Sequence, residues 1–359
     1  MDVREIARRR MHGQHLWGPP LERPEDVVHW LGALQAQEFA LAKWSVAQRA
    51  AGVDAEAMDK AFADGAILRT HLLRPTWHFV LPADIRWILQ LTAPRVHALN
   101  AFGYRQFELD ETILSRSTRL IARALKGGAH LSRQELGAML ERSRIVAGGP
   151  RLAFVLMYAE LEGVICSGPP RGKQHTYALL DERAPESITL DRDEALAELT
   201  GRYFTGRGPA TLKDYLRWSS LTAADGKAGL DMVGSRLQQE EVGGRTYWFA
   251  DSSPRPRALR AKRVDLVQGY DEIVMSYSES KDVLFAWMDG EVTPSDRPIF
   301  LHAILLDGHL IGHWRPGRKG KQVVVDTVFY RALDEREARA LDAAVERYAQ
   351  YVGAPVTLA

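Results

Sequence analysis

The chain has 359 residues, and its 47 basic and 46 acidic side chains leave a formal charge of +1. This length allows two or three domains with cores of their own, while the balanced charge limits any nucleic-acid site to a local basic patch. A single cysteine, Cys166, excludes an intramolecular disulfide framework and zinc sites built on cysteine pairs. No window approaches the roughly 18 apolar residues of a membrane span, and the N-terminus lacks a signal-peptide core, so we expect a cytoplasmic protein without membrane contact.

The N-terminal third is predicted to fold as short helices followed by strand. The predicted elements are helices at 2–16, 24–34, 41–50 and 54–64 and a strand at 67–81. Pro24 favours a helix start, Gly65 a left-handed helix end, and Pro75 a break within the strand. Short helices followed by a β-hairpin are typical of the winged-helix fold.

The same order of elements recurs twice. The predicted elements are helices at 112–126, 132 onward and 150–164 with a strand at 173–180, then helices at 209–218 and 221–233 with a hairpin at 237–250. Ser132 and Glu135 form a capping box, and Gly243-Gly244 supplies the hairpin turn. No repeat at the level of residues accompanies this order, which nevertheless predicts three winged-helix units in tandem.

The C-terminal part begins with a basic, proline-containing linker at 251–263. Strands are predicted at 297–306, 310–315 and 321–330, with a turn at Asp307-Gly308, and a final helix at 334–352. We therefore predict an α+β protein with winged-helix units at 1–110, 111–190 and 191–255 and an α+β subdomain with β-hairpins at 256–359.

Two strings in the first unit carry a family resemblance. Gln35-Ala36-Gln37 lies within the run LGALQAQEF at 31–39, and residues 69–78 spell RTHLLRPTWH. Together they resemble the AlkZ/YcaQ-type winged-helix DNA glycosylases, and the resemblance extends over essentially the whole chain. It implies a monofunctional enzyme without a cofactor, which hydrolyses the N-glycosidic bond of N7-alkylated purines in double-stranded DNA. Whether it also unhooks interstrand cross-links stays open.

The resemblance implies that Gln35 and Gln37 hold the attacking water. An alkylated purine is a cation and already a good leaving group, so the enzyme needs chiefly to place water and stabilise an oxocarbenium-like transition state. Since the YcaQ-like branch has an aspartate where Gln37 stands, the chain matches the AlkZ-like branch and should act on labile cationic lesions. Residues two apart on a helix point about 200° apart, so we place both glutamines at a helix end, where the alternative is that they merely cap it.

Five polar residues alternate in the following strand. They are Arg69, His71, Arg74, Thr76 and His78. At a period of two they could form a single polar row that lines the cleft and binds phosphates. The alternative is a solvated wing face with His78 buried and hydrogen-bonded.

A second basic set is predicted on a loop between two C-terminal strands. It consists of Arg315, Arg318, Lys319 and Lys321. Such a tip could simply be solvated, or it could press against the DNA backbone and release counterions. The resemblance implies a β-hairpin that probes the duplex, and either this loop or the turn at Asp307-Gly308-His309 could serve.

Other chemistry receives less support from the sequence. His71 and His78 have no carboxylate between them, so we predict no metal. Asp271 and Glu272 cannot flank one glycosidic bond as neighbours on a strand, although the resemblance suggests that Tyr270-Asp271-Glu272 is a structural anchor facing the cleft. The rival hypothesis is a non-enzymatic winged-helix DNA-binding protein or transcriptional regulator. We expect the glycosylase to be a monomer.

Overall fold

The computed structural model describes residues 1–250, 261–285, 301–320 and 322–359. Helices and sheets alternate along these residues, which confirms the α+β class. Within the described part of the chain, no helix is long and apolar enough to cross a membrane.

The first group of elements places three helices on a three-stranded antiparallel sheet. After an initial helix, α1 (Val3–Gly13), its elements are α2 (Pro24–Leu31), β1 (Leu34–Gln35), α3 (Phe39–Ala47), α4 (Ala55–Asp64), β2 (Leu68–Leu72) and β3 (Arg74–Val80). The sheet order is β1-β3-β2. As predicted, Pro24 lies in the first turn of its helix and Gly65 ends α4 with a φ of 82°.

A long helix, α5 (Ile85–Gln106), leads out of this group. No pattern in the sequence predicted this helix. Pro94 lies inside this helix, and its buried residues include Trp87 and Asn100, so neither a clean apolar stripe nor an uninterrupted helical pattern marks it.

The second group repeats the order of the first. Its elements are α6 (Glu111–Ala124), β4 (Leu131–Ser132), α7 (Arg133–Arg142), α8 (Gly149–Leu161), β5 (Ile165–Arg171) and β6 (Gln174–Leu179), followed by the short α9 (Leu180–Arg183). Its sheet order, β4-β6-β5, corresponds to that of the first group. The predicted capping box of Ser132 and Glu135 is present.

The third group has a smaller sheet. Its elements are α10 (Arg192–Arg207), α11 (Leu212–Ser219), α12 (Ala223–Val233), β7 (Leu237–Val242) and β8 (Arg245–Ala250). A single bridge between Ala210 and Trp248 stands where the other groups have their first strand. Helix α10 was not predicted, although a capping box of Asp191 and Glu194 opens it.

The C-terminal part is a five-stranded sheet with a helix packed on it. Its elements are β9 (Val264–Val267), α13 (Glu272–Met275), β10 (His302–Leu306), β11 (His309–Lys319), β12 (Gln322–Phe329), α14 (Glu335–Val352) and β13 (Val356–Leu358). The sheet order is β13-β12-β11-β10-β9. The predicted turn is confirmed, since Asp307 and Gly308 have φ values of 49° and 86°.

The prediction of a basic loop at 315–321 was wrong. Strand β11 continues to Lys319, and Arg315 pairs with Asp326 of β12. Pro316 lies inside the strand, opposite Val325 of β12, and among the described residues the pairing of β11 with β10 ends at Trp314, so the missing N–H of Pro316 removes no hydrogen bond of that pairing. Lys321 and residues 251–260 of the predicted linker lie outside the described residues.

Candidate active site

The Gln-Ala-Gln segment is extended, not helical. Helix α2 ends at Leu31, Gly32 turns the chain with a φ of 69°, and Gln35 pairs with His78 across β1 and β3. The prediction of a helix end was therefore wrong, because the helix has already ended four residues earlier, and Gln35 lies in β1 while Gln37 lies on a bend. Gln35 is buried, whereas Gln37 lies on an exposed bend just before α3.

Three hydrogen bonds from different parts of the protein fix this segment. The N–H of Gln35 donates to Oε1 of Glu272 at 2.8 Å. The N–H of Ala36 donates to the carbonyl of Trp77 at 2.7 Å, and Nε of Arg69 donates to the Ala36 carbonyl at 3.0 Å. The backbone between the two glutamines is thus held by side chains as well as by the sheet.

Arg74 binds the side chain of Gln35. Its Nη2 donates to Oε1 of Gln35 at 2.8 Å, and its Nη1 donates to the Trp218 carbonyl at 2.6 Å. Burial, only partly offset by the charge of Glu272, lowers the pKa of Arg74 to about 10, so the guanidinium remains protonated at neutral pH.

His78 completes the surroundings of Arg74 as a neutral ring. Burial and the charge of Arg74 lower the pKa of His78 well below its ordinary value. Its Nδ1 lies 2.9 Å from the Thr76 carbonyl and its Nε2 lies 3.3 Å from Nη2 of Arg74. A neutral ring that donates from Nδ1 accepts at Nε2, so both protons of Nη2 have acceptors.

Glu272 lies at the centre of a buried charge cluster behind Gln35. Its Oε2 accepts from Nη2 of Arg207 at 2.8 Å, from Oγ of Ser276 at 2.7 Å and from Nε1 of Trp218 at 2.9 Å. Burial alone would raise the pKa of this carboxyl, but the charges of Arg207 and Arg74 outweigh it and the pKa is lowered. Glu272 is therefore an ionised, buried anchor for the Gln35 backbone, and it lies behind Gln35, whereas the family resemblance suggested an anchor that faces the cleft.

The five polar residues of 69–78 do not form one row. The chain turns at Leu73, which has a φ of 60°, and the break is there and not at Pro75. Arg69 and His71 precede the turn, and pairing of His71 with Trp77 and of Thr70 with His78 places the histidines on opposite faces of the sheet.

The face that carries Arg69 and His71 packs on the second group. Imidazole Nδ1 of His71 contacts the Glu160 carboxylate, and the Arg69 N–H donates to Oγ of Ser167 at 2.8 Å. The Arg69 guanidinium lies 4.3 Å from the ring centre of Trp77. Both side chains are buried, as is that of His78, and Oγ1 of Thr76 is buried without a hydrogen-bond partner, so this geometry does not present them to phosphates.

The two candidate hairpins differ in accessibility. Asp307 pairs with Lys262, His309 is buried, and Gly308 lies against Met11 of α1. This turn is therefore covered by the protein itself. On the β11–β12 hairpin, in contrast, the predicted cations Arg315, Arg318 and Lys319 are all exposed.

Several residues of the site carry no signal in the sequence. Arg207 and Trp218 come from the third group, at the ends of α10 and α11, and only the fold brings them to Gln35. Arg217 is exposed and close enough to lower the pKa of Arg74 through its charge. Within the described residues, no group of three or more His, Cys, Asp or Glu side chains is placed to hold a metal ion.

His302 provides a pH-dependent element beside this site. The Gly269 N–H donates to its Nδ1 at 3.2 Å, and Nε2 lies 3.6 Å from a Glu38 carboxylate oxygen. Burial, then the charges of Arg315 and His313, lower the pKa of His302 to about 4. Burial also raises the pKa of Glu38, which limits its attraction for a protonated ring.

We predict that acidification destabilises the protein through His302. In the unfolded chain His302 has a pKa of about 6.5 and is protonated below that pH, whereas in the folded protein it stays neutral until the pH approaches 4. The free energy of unfolding therefore falls as the pH decreases from about 6.5 toward 4. Urea unfolding across this range should show that His302→Gln reduces the slope by up to about 1.4 kcal/mol per pH unit. An identical slope in the variant would contradict the prediction.

The comparisons with known proteins identify the family. A sequence model described as DNA glycosylase AlkZ-like matches residues 28–351. The chain therefore belongs to the AlkZ-like DNA glycosylase family, and it is an enzyme that acts on DNA. The prediction of a DNA glycosylase is confirmed, and the non-enzymatic regulator is not supported.

Two comparisons with Streptomyces sahachiroi agree with this assignment. The chain is 26% identical to an interstrand DNA cross-link repair glycosylase of that organism over 323 residues, which cover 87% of each protein. Its fold is similar to that of the solved DNA glycosylase AlkZ, with a TM-score of 0.82, 23% identity and full coverage of both chains.

Proposed function

We propose that the protein is a monofunctional glycosylase that releases N7-alkylated, cationic purines from double-stranded DNA and unhooks interstrand cross-links. The observation that carries this proposal is the Gln35-Ala36-Gln37 segment, which three hydrogen bonds fix beside an exposed surface. The printed function of the Streptomyces sahachiroi relative, interstrand DNA cross-link repair, supports the second part.

Gln35 and Gln37 would position the water that attacks the anomeric carbon of the lesion sugar. Both are neutral, so they orient the water without ionising. The cationic base supplies its own leaving-group ability, and holding water in a reactive geometry can lower the barrier by several kcal/mol, up to roughly 7–11 in well-oriented systems. This chemistry needs no strong acid at the base, and we propose none.

The surfaces around the site suggest how the duplex is bound. We propose that the three groups of elements are winged-helix units within 1–110, 111–190 and 191–255, and that 256–359 is a separate subdomain. The β11–β12 hairpin, with Arg315, Arg318 and Lys319, and the exposed Arg217 would contact phosphates of a monomeric complex. Arg69, His71, Arg74, Thr76 and His78 would support the cleft from within, which revises their predicted role at the phosphates.

A duplex with one N7-methylguanine tests this proposal. We expect the protein to release the free base, measured by mass spectrometry, faster than the spontaneous loss in buffer. The abasic strand should stay intact until alkali is added, because no lysine nucleophile is proposed. A second duplex with an N7-linked interstrand cross-link should separate into single strands on denaturing gels. If neither duplex is processed, the proposal is overturned. If only the first duplex releases its base, the activity is restricted to alkylated bases that are not part of a cross-link.

A further inference from the structure

The two glutamines are held differently, and this difference has chemical consequences. Gln35 is 3% exposed and is fixed at its backbone by Glu272 and at its side chain by Arg74. Gln37 lies on the exposed bend that follows. A pair that shares one water symmetrically would not need such unequal surroundings.

The contact with Arg74 determines which end of the Gln35 amide is oxygen. A guanidinium has only donors, so the atom 2.8 Å from Nη2 of Arg74 must be the carbonyl oxygen Oε1. The opposite orientation would set two donors against each other. The amide NH2 group is then the end that neither Arg74 nor Glu272 engages.

Arg74 cannot readily turn away from this contact. Its Nη1 is bound by the Trp218 carbonyl, and neutral His78 lies 3.3 Å from Nη2. Behind it, Glu272 is tied to Arg207 with neither side chain exposed. The orientation of the Gln35 amide is therefore imposed by the fold and does not depend on a bound lesion.

We propose that the two glutamines have different roles: Gln35 presents an N–H donor to the reacting centre, Gln37 supplies the carbonyl that accepts a proton of the attacking water, and Arg74 is a positioning residue acting through Gln35. This inference rests on the proposed function and deepens it. A donor at Gln35 holds the water oxygen or the sugar in place, whereas an acceptor at Gln37 leaves the attacking lone pair of the water free.

The atoms balance in this scheme. The water oxygen bonds to the anomeric carbon while the bond from that carbon to the purine nitrogen breaks. The electron pair of the broken bond stays on the purine and cancels its positive charge. The oxygen bonded to the anomeric carbon then loses its extra proton directly to solvent water, which is in contact with the exposed Gln37 beside it, while Gln37 only accepts a hydrogen bond and stays neutral.

Isosteric glutamate variants test the division of roles. Gln35→Glu keeps an oxygen for Arg74 but loses the N–H donor, so single-turnover release of N7-methylguanine should fall at least about tenfold. Gln37→Glu keeps an acceptor and adds negative charge near a developing cation, so its rate should exceed that of Gln35→Glu at least about tenfold. Gln90→Glu, on the exposed side of α5, controls for added charge.

Each outcome is informative. Loss in Gln37→Glu with retention in Gln35→Glu, equal loss in both, or retention in both would overturn the inference. If the wild-type protein releases no base, the proposed function fails instead, and the two failures are thus distinguishable. Thermal melting of each variant shows whether a low rate reflects unfolding.

A double-mutant cycle tests the positioning role of Arg74. Arg74→Gln should slow base release in the wild-type background but add little in a Gln35→Ala background, because its effect passes through Gln35. A merely structural role would lower the melting temperature and the rate in both backgrounds. Independent, multiplicative losses would therefore overturn the assignment.

Discussion

Gln37→Ala should lower the single-turnover rate of N7-methylguanine release at least about tenfold, which corresponds to a lost transition-state interaction of roughly 1.4 kcal/mol or more. Truncating Gln35 as well should cost at least as much, although the two losses need not multiply if both side chains hold one water. Because Gln37 is exposed and precedes α3, its truncation removes no buried contact and should leave the fold intact.

The matched control is Gln174→Ala, which truncates another exposed glutamine, on the second group. It should release base at the wild-type rate. Duplex affinity, measured separately by fluorescence anisotropy, should change little in Gln37→Ala, since one uncharged side chain contributes no counterion release. An unchanged excision rate in Gln37→Ala would place the chemistry elsewhere.

Local sequence signals predicted much of the fold. The capping box at Ser132, the left-handed glycine at Gly65 and the Asp307-Gly308 turn each depend on neighbouring residues only, and the structure has all three. Helix α5 was not predicted because it is buried on several sides by other elements. Its sequence therefore lacks the regular apolar spacing from which a helix with one buried face is predicted.

The site was harder to predict than the fold. The resemblance singled out Gln35 and Gln37, but the Gln35 backbone is held by Glu272, and Glu272 is bound by Arg207, and both lie more than 150 residues away from Gln35 in sequence. The single polar row failed because His71 and Arg74 are three positions apart, so alternation along a strand already separates Arg69 and His71 from Arg74, Thr76 and His78, and the hairpin pairing keeps His71 and His78 on opposite faces.

The resulting site contains more charge than its two neutral glutamines suggest. Arg207 and Glu272 form an ion pair in which neither side chain is exposed to solvent. Asp271, the residue before Glu272, forms a second fully buried ion pair with Arg49. Removing charges from water is costly, so such pairs contribute little net stability unless their hydrogen bonds are complete. We infer that these pairs principally fix the geometry of α13, whose first residue holds the Gln35 backbone.

Asp271→Ala should therefore destabilise the protein strongly. Both Asp271 oxygens accept from Arg49, at 2.7 and 3.0 Å, and one also caps α13 through the Ile273 N–H. Removing the carboxylate leaves a fully buried guanidinium without its counter-ion, for which we expect a loss of about 3–5 kcal/mol in the free energy of unfolding, measured by urea titration.

Lys213→Ala provides the contrast, because Lys213 is exposed, its partner Glu279 is only half-buried, and that pair should contribute no more than about 1 kcal/mol. The double variant Arg49→Met/Asp271→Leu should recover much of the stability by removing both charges. It should not recover base release, since without the N-cap and the ion pair α13 no longer holds Glu272 against Gln35. If the double variant recovers both its stability and base release, the charge cluster does not position the catalytic segment. If Asp271→Ala lowers the free energy of unfolding by less than about 1 kcal/mol, Arg49 finds other acceptors.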